Sequence, residues 1–203
     1  PWRFLPVSDP NFTAAYFDEN GLYRFGRQPT QGAWALQQLA SALLPLAEAD
    51  DLARGLAPYE AAYQQAFAAH THLLLGLDGS GELGADLAFL QGFYGWMTTS
   101  GASWPQTFFD LYGGTASEPR MKTSPQAGLY RAEAFVPIRE FLAARAPKHA
   151  ERLSLPYFQA AAPVTMLIED VEALWDPIAA EDDWSAFDAK MEHMEAARLA
   201  LAP

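Results

Sequence analysis

Apolar side chains recur at helical spacing through most of this chain, and no stretch alternates apolar and polar residues over the length of a β-strand. The helical rhythm, which places side chains on one face of an α-helix, is clearest at Leu83, Leu87, Leu90, Tyr94 and Met97. Comparable patterns predict helices over 30–46, 58–77, 82–97, 104–112, 127–146, 163–175 and 184–199, with loops over 115–126 and 153–162. The sequence therefore predicts a mainly α-helical fold.

The composition limits the classes of partner. A formal net charge of −12 disfavours nucleic acid and anionic membrane surfaces, because binding to either needs clustered Lys and Arg. No apolar run approaches the roughly 18 residues of a membrane span, and the first residues lack the pattern of a signal peptide. We therefore expect a cytoplasmic protein with no nucleic-acid or membrane partner. The absence of cysteine excludes disulfides, thiol catalysis and thiolate metal sites.

The first 29 residues differ in character from the rest. They are rich in proline and aromatic residues and show little periodicity, which predicts an ordered loop (1–29) followed by a helical domain (30–203). A long aromatic-rich loop in a compact domain is more often functional than a linker. Thr30 is the predicted N-cap of the first helix, and we expect the Trp34 face of that helix to serve as scaffold.

Polar side chains within this loop are the best candidates for binding a protein substrate or partner. They are Arg3, Tyr23, Arg24, Arg27 and Gln28. The arginines could bind a phosphate or a partner's carboxylate. Alternatively, they pair with Asp9, Asp18 or Glu19 and hold the loop to the helices. Glycines at 21 and 26 indicate positions where the backbone needs a positive φ.

No catalytic, cofactor-binding or metal-binding residue is predicted. His70 and His72 are two residues apart, a spacing that points the rings to different faces of a helix, so we expect surface or capping histidines. The segment 78–84 superficially resembles a phosphate-binding loop. It lacks the Gly-Lys-Ser/Thr ending of a P-loop, which favours a turn between two helices.

Two motifs near the start of the chain carry a family resemblance. Residues 21–29 read Gly-x-Tyr-x-Phe-x-x-Gln-Pro, and residues 34–43 read Trp-x-Leu-x-x-Leu-Ala-x-x-Leu. This pattern resembles the selenoprotein O (SelO) family, protein adenylyltransferases built on a kinase-like fold. Residues 1–5 resemble the segment just after the family's Asp-Tyr-Gly metal-binding tripeptide, and 104–111 and 163–175 resemble late family segments.

The resemblance implies a specific place in that fold. The chain would be the helical, C-lobe-like portion, with 1–29 as an activation-segment-like loop facing a protein substrate. Relatives transfer AMP from ATP to protein hydroxyl groups with Mg²⁺, and their transfer machinery would precede residue 1. The resemblance thus implies no cofactor in this chain itself, an inactive isolated chain, and a missing N-terminal catalytic half as partner. The alternative is a free-standing helical interaction domain derived from such an enzyme, binding through Trp2, Phe12, Tyr16 and Phe17.

Overall fold

The computed structural model describes residues 4–202, and within them the secondary structure is helical. The α-helices are α1 (Gln28–Leu43), α2 (Ala49–Leu56), α3 (Tyr59–Leu75), α4 (Leu83–Ser100), α5 (Trp104–Leu111), α6 (Glu118–Thr123), α7 (Ala127–Arg131), α8 (Val136–Ala143), α9 (Pro156–Gln159), α10 (Ile168–Glu181) and α11 (Ser185–Leu201). Short 3₁₀ turns span Phe25–Arg27, Gly114–Ser117, Glu133–Phe135 and Ala150–Ser154. Extended pairing in this range consists of two isolated bridges, Val7 with Ser103 and Leu77 with Pro147. The predicted mainly α-helical fold is confirmed.

The principal core lies where α3, α4, α5 and α8 meet. Its fully buried side chains include Leu75, Phe93, Met97, Leu111 and Phe135. A smaller cluster joins α5 to α9 and α11 through Phe109, Tyr112, Tyr157, Phe158 and Ala200. Neither α1 nor α2 contributes a buried residue to either cluster. The first third of the described chain therefore lies against the core from outside.

Gly76 permits the tight turn that ends α3 on the principal core. Its φ is 63°, in the left-handed region that a glycine adopts without strain. A Cβ at this position would also lie 2.7 Å from the Tyr112 ring, closer than packed atoms approach. The helix ends here because both the backbone conformation and the neighbouring ring require glycine.

Several predicted helix boundaries were wrong, and prolines explain two of them. Thr30 is not the N-cap of α1, because Pro29 occupies the first turn of a helix that begins at Gln28. The predicted loop 115–126 contains a 3₁₀ turn and α6, with Pro119 in the first helical turn. A proline is tolerated there because its missing N–H would have no partner inside the helix.

Two further boundaries depend on local contacts. The first helix was predicted to run to residue 46, but α1 ends at Leu43. The sequence pattern also missed α2, which follows as a separate helix. The helix predicted to open at Pro163 starts at Ile168 instead. There the Asp170 carboxylate accepts the Leu167 amide (3.2 Å) and a hydrogen bond from Thr165, which fixes the start of α10.

No helix within residues 4–202 combines the length and the apolarity needed to cross a membrane.

Candidate functional site

The segment that precedes α1 is fastened to the start of α5. The Trp104 amide donates to the Pro6 carbonyl (2.8 Å), and the hydroxyls of Ser8 and Thr98 are 3.0 Å apart. The Phe25 ring meets the Trp104 ring edge to face, with centroids 5.7 Å apart. These contacts place the predicted loop on the core and make it an ordered part of the fold.

Within this segment the chain crosses itself closely at Gly26. The Gly26 amide donates to the Pro10 carbonyl, and the Phe25 amide donates to the Phe12 carbonyl, both at 2.8 Å. A Cβ at Gly26 would lie 2.9 Å from the Pro10 oxygen. Gly26 is therefore required by close backbone approach, and the prediction that it needs a positive φ was wrong.

The turn that leads to the candidate residues is built around Asp18. Its carboxylate accepts the amides of Leu22 (2.6 Å) and Tyr23 (2.8 Å). Gly21 lies directly before these two residues at φ 62°, so the predicted positive φ at this glycine is confirmed. Because both carboxylate oxygens bind backbone amides, Asp18 holds the turn that presents Tyr23.

An exposed aromatic patch surrounds this turn. Tyr16 is 97% exposed and Tyr23 58%, and Phe17 lies between them, edge to face with each ring. Large exposed rings that contact one another form an apolar surface that water solvates poorly. We call Tyr16, Phe17 and Tyr23 the aromatic patch.

Arg24 and Arg27 do not form the ion pairs that would hold the loop to the helices in the alternative interpretation. Arg24 donates to the Asn11 side-chain oxygen (3.2 Å), and Arg27 is half-buried. Among residues 4–202, neither guanidinium lies within ion-pair distance of a carboxylate. The alternative of ion pairing with Asp9, Asp18 or Glu19 is thus wrong for both, and Arg3 lies outside the described residues.

Two of the candidates share a pocket. Tyr23 and Gln28 both line a cavity of about 350 Å³ between the turn and the first turn of α1. Gln28 also lines a larger groove of about 710 Å³ between the start of α5 and the end of α11. The apolar wall of this groove includes Phe4, Phe25, Trp104, Val164, Met194 and Leu201. The structure therefore brings Tyr23 and Gln28 together, whereas their binding roles stay a prediction.

The expectation that the Trp34 face of α1 is scaffold was wrong. Trp34 is 56% exposed and Leu46, just beyond the helix, is 82% exposed, with Leu39 and Leu44 also exposed. The Tyr59 hydroxyl donates to the Pro29 carbonyl (2.8 Å) and ties α3 to the start of α1. The spacing correctly predicted a helix with apolar side chains, but α2 and α3 cover it only in part, and these four apolar side chains stay more than half exposed. Because Trp34, Leu39 and Leu44 are five residues apart, they point in different directions around the helix axis and do not form one stripe. We use the name α1 face for these three exposed apolar side chains together with Leu46.

His72 was also predicted wrongly, because it is buried rather than on the surface. Its Nδ1 lies 2.8 Å from the Ala68 carbonyl, and its Nε2 lies 3.5 Å from an Asp86 oxygen. The same oxygen lies 3.6 Å from Arg145, and the carboxylate accepts the Ser80 amide at 2.9 Å. No local sequence pattern indicates this cluster, since Arg145 follows α8, far along the chain from α3. His70 is exposed, as predicted.

Asp86 closes the turn between α3 and α4. The Ser80 amide points at its carboxylate, and a Cβ on Gly79 would lie 2.8 Å from one of its oxygens. The predicted helix–helix turn over 78–81 is confirmed, and its glycine leaves room for a buried carboxylate. The arrangement stabilises the fold.

A second buried carboxylate, Asp110 on α5, is fully satisfied. Gln106 donates to one oxygen (2.9 Å), and Ser124 (2.5 Å) and Tyr130 (2.7 Å) donate to the other. Burial, with the nearby Asp110 charge, raises the pKa of Tyr130 well above its ordinary value. The phenol therefore remains a hydrogen-bond donor, and the network ties α6 and α7 to α5.

Across residues 4–202, no three His, Asp or Glu side chains lie together as a metal site would require. Asp86 and Asp110, the buried carboxylates described above, are bound by protein groups. The described residues consequently offer surfaces for binding but no constellation for metal-assisted catalysis.

Comparison with known proteins gives a consistent family assignment. Residues 1–195 match the family model described as protein adenylyltransferase SelO. A protein nucleotidyltransferase YdiU of Gloeobacter violaceus is 30% identical over 202 residues, which cover 92% of this chain and 40% of that protein.

Further relatives carry the same description. The Trichodesmium erythraeum protein nucleotidyltransferase YdiU is 26% identical over 200 residues, which are 92% of this chain and 40% of the relative. The Chromohalobacter salexigens protein of the same name is 35% identical over 108 residues, 53% of this chain and 22% of the relative. The chain thus spans well under half of the length of the relatives that it matches.

Proposed function

Because the chain belongs to the protein adenylyltransferase SelO family, we propose that it forms the helical C-terminal part of an enzyme that transfers AMP from ATP to hydroxyl side chains of proteins. The match to the family model extends over 195 residues, and it is collinear with relatives more than twice as long. We include in this proposal that the chain is the C-lobe of a kinase-like fold, with which its helical architecture is compatible. As the C-lobe, the chain would support the nucleotide cleft and present the protein substrate.

The α1 face is the observation that carries the proposal. An amphipathic helix gains most of its stability from burying its apolar stripe, yet no residue of α1 is buried. In our proposal the remaining, catalytic part of the enzyme covers Trp34 and its neighbours. Burial of these four large side chains would contribute roughly 1.5–3 kcal/mol for each side chain that becomes fully buried.

The aromatic patch and the candidate polar residues have a second role in this proposal. Residues 4–29 are fixed at Trp104 while Tyr16, Phe17 and Tyr23 stay open to solvent. Apolar and aromatic surface of this kind suits recognition of a protein substrate. Exposed Gln28 lines a pocket with Tyr23 of this patch, and in our proposal Gln28 and half-buried Arg27 contribute polar contacts, with Arg24 held by Asn11.

ATP and Mg²⁺ are implied by the family, and the described residues do not fit them. Mg²⁺ in nucleotide enzymes is held by one or two carboxylates together with the phosphates. In residues 4–202 the buried carboxylates Asp86 and Asp110 accept hydrogen bonds from protein groups, and no group of three or more His, Asp or Glu side chains is placed to hold a metal ion. We therefore assign no catalytic residue and no step of the transfer to this chain, and place that chemistry in the rest of the enzyme.

Two measurements test the proposal. Calorimetry of the 203-residue chain with ATP and Mg²⁺ should detect no binding in the micromolar range. The intact mass of the protein in its source cell should lie well above 22.3 kDa, and that longer species should transfer labelled AMP to proteins. Micromolar ATP binding by this chain would overturn the assignment of catalysis elsewhere. A longer species without transfer activity would overturn the enzymatic function.

The second candidate function is a helical protein-interaction domain derived from such an enzyme. The exposed aromatic patch favours it, because Tyr16 and Tyr23 present rings that a binding partner could bury. The same mass measurement separates the two functions. A species of 22.3 kDa in the cell, recovered together with a stable protein partner, would favour the interaction domain.

A further inference from the structure

A separate pocket lies between α6, α7 and α8, away from the aromatic patch and the α1 face. Its volume is about 260 Å³. The floor is formed by Met121, Ala127, Tyr130 and Leu142, all of which are buried. We call it the α6–α8 pocket. The Tyr130 hydroxyl donates a hydrogen bond to Asp110, so the floor presents an apolar surface to a ligand.

The rim of the α6–α8 pocket is cationic. It carries Lys122, Arg131 and Arg139 against the single acid Glu118. Three positive groups at one opening are notable in a chain with 13 basic and 25 acidic residues. A local excess of positive charge in an acidic protein attracts anions to this opening.

The rim residues differ in how far they are already engaged. Lys122 lies 3.2 Å from Glu118, and both are exposed. Arg139 donates to the Tyr130 carbonyl and stacks over the Phe135 ring at 5.6 Å, so it forms part of the wall. Arg131 is exposed and makes no side-chain hydrogen bond or ion pair among residues 4–202. One guanidinium at the mouth is therefore available for a ligand.

We propose that the α6–α8 pocket binds a small organic anion, with an aromatic or branched apolar body against Met121 and Leu142 and a carboxylate at Arg131 and Lys122. The size supports this class of ligand: a cavity of about 150 Å³ holds benzene, whereas drug-sized ligands occupy roughly 300–1,000 Å³. A guanidinium binds a carboxylate through two parallel hydrogen bonds, which fixes the orientation of the acid. A folded helix or strand is too large for this cavity.

This inference goes beyond the proposed function and does not depend on it. The pocket is formed by residues of this chain alone, and its occupant needs neither ATP nor a protein substrate. The anion preference follows from the rim, and the apolar preference follows from the floor. Separate substitutions can therefore remove the charge of the rim or fill the apolar floor.

The test compares two probes of nearly equal shape, 2-naphthoate and 2-naphthamide, by calorimetry with the 203-residue chain. We expect the acid to bind about two- to fivefold more tightly than the amide, in the range typical of exposed charge contacts. Arg131→Gln should abolish most of this difference, and Lys122→Gln should reduce it. Arg54→Gln, which removes an equally exposed arginine from α2, is the matched control and should leave the difference unchanged.

A pocket-filling variant tests the apolar half. Ala127→Phe should abolish binding of both probes, with folding checked by circular dichroism. If that variant does not fold, Arg131→Gln and Lys122→Gln, which change exposed side chains, still test the proposal. Equal affinity for acid and amide, no binding of either at millimolar concentration, or an Arg131→Gln result equal to the Arg54→Gln result would overturn the proposal. Tight binding of an acidic peptide with a Phe anchor, without binding of 2-naphthoate, would overturn it in favour of a protein ligand.

Discussion

Phe25 and Trp104 meet edge to face, with ring centroids 5.7 Å apart, and this contact joins the segment before α1 to the start of α5. Trp104 in turn stacks on Tyr94 of α4 at 5.4 Å. The Phe25–Trp104 contact, together with the Trp104–Pro6 and Ser8–Thr98 hydrogen bonds, joins residues 4–27 to the principal core. We expect it to help hold the aromatic patch in a fixed position.

Replacement of Phe25 by Ala should loosen the segment before α1. Because Phe25 is only half-buried, we expect a loss of about 1–3 kcal/mol, below that of a fully buried phenylalanine. Amide hydrogen exchange should become faster in residues 4–27 and remain slow in α3, α4 and α5. Leu22→Ala, at an exposed position in the same segment, serves as the control. Unchanged exchange in residues 4–27 would contradict the anchoring role.

Replacement of Asp86 by Ala should strongly destabilise the protein. The change removes the carboxylate that lies 3.5 Å from buried His72 and 3.6 Å from half-buried Arg145. Removing one member of a buried charged cluster costs roughly 3–5 kcal/mol. Urea denaturation should show this as a lower midpoint with an unchanged slope. Asp78→Ala is the matched control, because Asp78 is exposed and lies 4.0 Å from Lys148, and it should cost less than about 1 kcal/mol.

Stability should fall steeply at alkaline pH. Burial raises the pKa of Tyr94 to about 12, partly offset by the hydrogen bond between its hydroxyl and that of Thr71, and burial also raises the pKa of Tyr157 to about 12. The unfolded chain ionises both phenols near pH 10. Between about pH 10 and 12 the folded state therefore holds more protons than the unfolded state, and stability falls as the pH rises. Below pH 10 this contribution is fully present.

Absorbance at 295 nm and urea midpoints at pH 8, 10 and 11 would measure this effect. Each raised tyrosine should cost up to about 1.4 kcal/mol per pH unit within that window. Tyr94→Phe should flatten the pH dependence of the midpoint, whereas Tyr16→Phe, at a fully exposed ring, should not. Ionisation of all eight tyrosines near pH 10 in the folded protein would contradict the prediction.

The α1 face should tolerate truncation. Trp34→Ala with Leu39→Ala removes large side chains that are more than half exposed, so we expect the free energy of unfolding to change by less than about 1 kcal/mol. Leu75→Ala, at a fully buried position of α3, should cost about 2–5 kcal/mol and provides the comparison. Chemical denaturation measures both. A loss above about 2 kcal/mol for the double variant would show that the 203-residue chain buries this face.

Helix type and approximate position could be predicted because they depend on neighbouring residues. The spacing from Leu83 to Met97 places these side chains on one face of α4, and Gly101 ends the helix at a φ of 67°. Helix starts were less accurate. The predicted N-cap at Thr30 and the predicted loop 115–126 were wrong because Pro29 and Pro119 each fit the first turn of a helix. The residues flanking a proline do not reveal which side of it the helix lies on.

The candidate site was predictable only in part. Tyr23 and Gln28 were identified from a local motif, and they line one pocket because Asp18 fixes the turn before them. The charged rim of the α6–α8 pocket was not foreseen. Its cations come from three separate helices or their ends, and only folding brings Lys122, Arg131 and Arg139 to one opening.

The sequence by itself determined the helical class, the family and the acidic character of this protein, because all three follow from local spacing, motif order and residue counts. Only the tertiary structure decided which apolar faces are buried. The side chains of α1 and α4 both repeat at helical spacing, yet Phe93 is fully buried and Trp34 lies open. Periodicity specifies that a helix has an apolar face, whereas burial requires a second surface that long-range packing brings against it.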